Sequence, residues 1–195
     1  MTITAVRRLE QEATEDVFFG QVVMIWARWF LIAAGTIFFL WTAQTSTQVA
    51  LGVLPILALM LLNCYLHARF LLERPSNVFL ITAASTVDVA LVSAIVVLWQ
   101  STTMPGLTGL GSPFFVFYYP VLLAFAFVVP RRLALVFTAS TAAVYAAICL
   151  PDLTSITTVK VLVLRLATMA AMGGIGTFYW RIQRRRRHDG LDAAG

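Results

Sequence analysis

Charge is what this chain is short of. Only 12% of its 195 residues are Asp, Glu, Lys or Arg, against 60% hydrophobic, and the mean hydropathy is +0.86. A soluble domain carries about a quarter charged residues to cover its surface, so this composition excludes one and makes the bilayer the solvent. Histidine is as scarce, with His67 at the inner end of an apolar run and His188 in the tail. Two imidazoles at different depths form neither a metal cluster nor a bis-His haem pair. No HExxH, GxSxG or Walker A pattern occurs, and no catalytic residues are expected. The two cysteines, Cys64 and Cys149, fall at opposite depths of different apolar runs, out of disulfide reach, and are expected as small core residues.

Basic residues are missing from particular places. Three hydrophilic turns, 44–48, 100–113 and 152–158, contain no Lys or Arg. Twelve of the 14 basic residues, Arg7, Arg8, Arg28, Arg69, Arg74, Arg131, Arg132, Arg181 and Arg184 to Arg187, lie in the alternating turns, at span ends or in the tails. By the positive-inside rule this puts both termini on the cytoplasmic side. The net charge of +5 is then spent on lipid headgroups and topology, so the expected partner is the bilayer and not nucleic acid.

The apolar runs fall at about 22–43, 49–67, 77–99, 114–129, 133–150 and 159–180. Each is near the roughly 20 residues that a helix needs to cross a bilayer core. The expected fold is all-α: a polytopic bundle of six transmembrane helices (22–180), preceded by a short cytoplasmic amphipathic helix (1–21) and followed by a basic tail (181–195). In the first segment Val6, Leu9, Ala13 and Val17 recur at helical spacing among charged residues. About twenty mixed-charge residues precede the first run without a short apolar core and cleavage site, so no removable signal peptide is expected. Trp29, Trp41, Trp99 and Trp180 fall near span ends, as an aromatic belt would have them. Pro75, Pro113, Pro130 and Pro151 punctuate the spans, while Pro55 and Pro120 sit inside two of them and should free the carbonyls of Leu51 and Val116.

Two charges violate the pattern. Asp88 lies mid-way along the third run, where inserting an acid costs about 2.5–3.5 kcal/mol, so it must face protein or water. Ala84 and Ser85, one turn earlier, allow a neighbouring helix to approach it. Arg165 lies roughly 9 Å below the outer edge of the sixth run at helical rise, and is the candidate countercharge. In the alternative, Arg165 snorkels outward with Lys160 while a protonated Asp88 hydrogen-bonds a carbonyl. Tyr118, Tyr119 and the kink residue Pro120 in the fourth run join Asp88 and Arg165 as candidates for the lining of a pocket open to the outer side.

The stretch from Arg74 to Leu150 resembles the six-span membrane sensor region of bacterial histidine kinases. The matching residues are Arg74-Pro75, the central Asp88, the turn Gly109, Gly111, Ser112 leading into Pro113-Phe114-Phe115, then Tyr119, Pro120, Arg131-Arg132 and Tyr145, with Arg28-Trp29 as the start of the first span. A subset of those kinases, redox regulators, carries a GGxxNPF turn linked to quinone. Here the turn reads Thr108 to Phe114, with Thr108 for a Gly and Ser112 for the Asn, so the resemblance implies quinone as the cofactor to test, at Gly109, Ser112, Pro113 and Phe114. It also implies a sensory input module that signals by helix displacement, as a homodimer or within a larger membrane complex. The phosphoacceptor and ATP-binding domains of a kinase are not among these residues. The alternatives from other classes are a structural accessory subunit of a membrane complex and a small transporter.

Overall fold

The computed structural model describes residues 3–43, 45–72, 77–99 and 109–192, with side-chain surroundings for those among 20–178 other than 51. Arg74, Pro75 and Thr108 lie outside the described residues, as do the side chains of the N-terminal segment and of the basic tail. The described residues form helices and turns only: α1 (Ile3–Thr42), α2 (Ser46–Leu71), α3 (Val78–Leu98), a 3-10 segment (Pro113–Phe117), α4 (Tyr118–Val128), α5 (Arg131–Cys149), a second 3-10 turn (Leu150–Asp152) and α6 (Ile156–Asp192).

Five stretches, Gly20–Thr42, Ser46–Leu71, Val78–Leu98, Arg131–Asp152 and Ile156–Phe178, are long and apolar enough to cross a membrane. The fourth expected span is shorter and composite, a five-residue 3-10 segment running into the 11-residue α4. The segment expected as a separate amphipathic helix is instead the first part of α1, which runs unbroken for 40 residues. No proline interrupts it, so nothing separates the charged turns from the apolar ones.

The polar turns supply the helix starts. Thr45 and Gln48 form a reciprocal capping box on α2, each side chain accepting the other's backbone N–H at 3.2 Å. Asn77 Oδ1 accepts the Leu80 N–H at 2.9 Å ahead of α3, and Ser155 Oγ accepts the Thr158 N–H at 3.2 Å at the start of α6. Pro120 falls in the first turn of α4, where a missing N–H costs no helical bond. The expected loose carbonyl at Val116 is consequently engaged: the Tyr118 N–H points at the carbonyls of Phe115 and Val116.

The chain divides into two compact units, Met1–Asp88 and Val89–Gly195, with the division inside α3. In the first, α1 packs on α2, and Ile25, Leu66 and Ala84 make a buried cluster with Trp29, Leu62, Phe70 and Leu80 around it. In the second, α4, α5 and α6 pack mutually. Close approach there depends on small residues. A Cβ on Gly173 would collide with Thr138 Oγ1, and one on Gly176 would lie 2.5 Å from Ala126 Cβ. Phe125 and Phe137 stack at 4.0 Å. Two sequence expectations change here. Cys64 is exposed and only Cys149 is buried, and Trp99 is buried against Phe114 at 4.8 Å instead of joining a belt.

Candidate functional site

Short hydroxyl side chains can satisfy themselves within a membrane helix by bonding one turn back. Thr36, Thr82, Thr86, Thr138 and Thr141 do so, each donating to the carbonyl four residues earlier at 2.7–2.9 Å. Longer polar groups need partners on other helices, and following those partners reveals two sites.

The first lies in the second unit and gathers three of the candidates. Arg165, half-buried on α6, donates from Nη1 to Tyr145 Oη at 2.5 Å, and its Cζ lies 3.6 Å from the centroid of Phe115. This sandwich combines a hydrogen bond with a cation–π contact. Tyr145, fully buried on α5, meets Tyr118 edge-on at 5.5 Å, and the Tyr118 hydroxyl is 2.7 Å from that of Ser93 on α3. On the other side Phe115 meets Tyr119 edge-on at 5.9 Å. The Tyr119 hydroxyl is 2.8 Å from Thr168 Oγ1, which itself donates to the Arg165 carbonyl at 2.8 Å. The 3-10 geometry of Pro113–Phe117 sets this up. It brings Phe115 beside Arg165 while the α-helical turn that follows carries Tyr118 toward α5 and Tyr119 toward α6. The fifth candidate, Pro120, marks that change of helix type and offers no side-chain donor.

The second site lies in the first unit and holds Asp88. The countercharge is Arg28, not Arg165. Arg28 Nε donates to Asp88 Oδ2 at 2.8 Å, and Nη2 approaches the same oxygen at 2.7 Å without hydrogen-bond geometry. The two side chains are 4% and 2% exposed. Asp88 Oδ1 and Ser85 Oγ are buried without a hydrogen-bond partner, as is Asn63 Oδ1, while Asn63 Nδ2 donates to the Ile25 carbonyl at 3.3 Å. Arg28 lies one turn along α1 from Ile25, Asn63 one turn along α2 from Leu66, and Asp88 one turn along α3 from Ala84. They therefore form a polar layer stacked on the Ile25–Leu66–Ala84 cluster.

The turn singled out for quinone is occupied by the protein itself. Gly109 is pressed against Cys149, whose Sγ would be 2.8 Å from a Cβ there. The Leu110 N–H donates to buried Asp152 Oδ2 at 2.7 Å. Ser112 is buried and caps the 3-10 segment begun by Pro113, with its Oγ accepting the Phe114 N–H at 3.4 Å, and Phe114 packs on Trp99. These contacts explain a glycine, a cap, a proline and an aromatic at those positions in structural terms.

Sequence reasoning missed Arg28, which counted as a topology charge, and gave Tyr145, Phe115 and Ser93 no role at a site. The signal for Arg28 was its depth, several residues inside the apolar run. Among the described residues no three His, Cys, Asp or Glu side chains group as metal ligands. Comparison with protein-family models, curated proteins and solved structures finds no match to this chain.

Proposed function

We propose that this chain is a six-span membrane input module, with both termini in the cytoplasm, in which the setting of α6 is read from the aromatic box around Arg165 and passed along the helix. The observation that carries this reading is that α6 bears Arg165 and continues without a break to Asp192. The helix extends about 20 Å at helical rise beyond Phe178, where its apolar part closes. A displacement at Arg165 is thus mechanically linked to whatever lies beyond the tail. The distribution of basic residues supports the orientation. The resemblance of residues 74–150 to histidine-kinase sensor regions supports the sensory role, and the short α4 element supplies the sixth crossing.

The test is a distance measurement within the second unit. Spin labels at V136C on α5 and I175C on α6, both exposed positions, on a background of Cys64→Ser, should report a shifted distance distribution when Arg165→Gln empties the box. A distribution unchanged by that substitution and by every ligand and redox condition would sink the proposal. Recovery of a stable hetero-complex after mild solubilisation, with no α6 shift, would instead favour an accessory subunit.

A further inference from the structure

Among the described residues, the partners of the Arg165 cation are neutral. Its described contacts are the Tyr145 hydroxyl and the Phe115 ring. Among the described side chains of the second unit the one carboxylate is Asp152, whose Oδ2 is given to the Leu110 N–H. The ion pair of the described residues belongs to Arg28 and Asp88. A hydroxyl and a π face stabilise a guanidinium but leave its charge uncompensated in a low-dielectric setting. They also engage only one nitrogen and one face, leaving an edge whose planar fork matches a carboxylate or phosphate.

The surroundings show what the rest of the ligand must be. Val161, one turn back on the same stripe of α6, and its neighbour Leu164 are 37% and 66% exposed, and Val116 beside Phe115 is 38% exposed. A molecule whose acidic end meets Arg165 would therefore lay its remainder along apolar side chains. Simple snorkelling explains less. Lys160, exposed near the start of α6, is the residue placed to reach headgroups, whereas Arg165 is turned onto a fully buried tyrosine.

We infer that the Arg165 edge binds the oxyanion headgroup, phosphate or carboxylate, of an amphiphile whose apolar part lies along α6, and that this is the ligand class to which the module responds. The inference rests on the input-module reading for its consequence but not for its test. Headgroup binding is read by lipid retention and signalling by the α6 distance, so either can fail alone.

The full chain is released from micelles in a native mass spectrometer with phosphatidylglycerol, or with phosphatidylcholine of the same acyl chains. Phosphatidylglycerol adducts should survive preferentially and fall about tenfold or more in both R165Q and R165K, since lysine preserves charge but not the fork. In R132Q, which removes an exposed interfacial charge, they should persist. F115L keeps the guanidinium while removing its platform and should cost a few-fold, which covers the case in which Arg165 variants fold poorly. Competition by palmitate would extend the headgroup to carboxylates. Full retention in R165K, or equal loss in R132Q, would overturn the site, and displacement by inorganic phosphate alone would overturn the amphiphile.

Discussion

Asp88→Asn should be among the most destabilising single changes in this protein, because of what it leaves behind on Arg28. The pair is 4% and 2% exposed and converges on one carboxylate oxygen at 2.7 and 2.8 Å. Asparagine fills the same volume but removes the charge, and a guanidinium cannot shed its proton to compensate. Breaking a buried pair in this way costs about 3–5 kcal/mol, a large share of the roughly 5–15 kcal/mol that holds a typical domain together. Arg28→Met should cost less, since a carboxyl left alone can take up a proton and become neutral. The double variant R28M/D88N removes both charges and should regain most of the loss, giving a coupling of about 2–3 kcal/mol or more in the cycle. Equilibrium unfolding of the purified protein in mixed micelles, followed by tryptophan fluorescence, measures all four corners. Additive single effects, or a D88N protein within about 1 kcal/mol of wild type, would refute the electrostatic argument and leave Asp88 as an ordinary packing residue.

Two further perturbations test the packing. Gly173→Ala would press a methyl onto Thr138 Oγ1, which is pinned by its bond to the Ala134 carbonyl, and should cost about 1–3 kcal/mol. Gly174→Ala, whose Cβ meets nothing within 4 Å, should gain about 0.5–1 kcal/mol of helix stability, so thermal unfolding in detergent should shift in opposite directions for adjacent residues. Asp152→Ala strips the buried Leu110 N–H of its acceptor and should raise the rate of proteolytic nicking at Gly109–Leu110 by about tenfold or more, with Asp152→Asn milder because it keeps an acceptor oxygen.

The apolar runs were legible because bilayer thickness imposes a length on every crossing helix, and each run became an apolar helical element. Boundaries written in local chemistry, the Thr45 and Ser155 caps and the starts at Pro113 and Pro130, were equally readable. Pairing across helices was not, since it depends on how helices rotate about their axes, which composition leaves open. Arg28 illustrates the difference. Four other basic residues outside the tails, Arg69, Arg74, Arg131 and Arg132, mark span ends or lie beside turns, and treating Arg28 as another of them hid that it reaches the depth of Asp88. Tyr145 was hidden for the opposite reason. Nothing distinguishes it from an interfacial tyrosine until Arg165 is seen to lie against it. Tyr118, Tyr119 and Arg165 were chosen as candidates from unrelated arguments, a proline and an out-of-place charge, and they do converge on one box.

The 3-10 segment ahead of α4 affects more than the aim of two tyrosines. A 3-10 helix rises faster per residue than an α-helix, so the element from Pro113 to Val128 reaches about 26 Å, where α-helix throughout would reach about 24 Å. Both values fall short of a hydrocarbon core of about 30 Å. In the proposed arrangement this crossing is the tight spot of the protein, where the lipid must thin or the helix must stretch further toward 3-10 geometry. Membrane thickness would then act on the same residues that hold Arg165, making the physical state of the bilayer itself an input to the box.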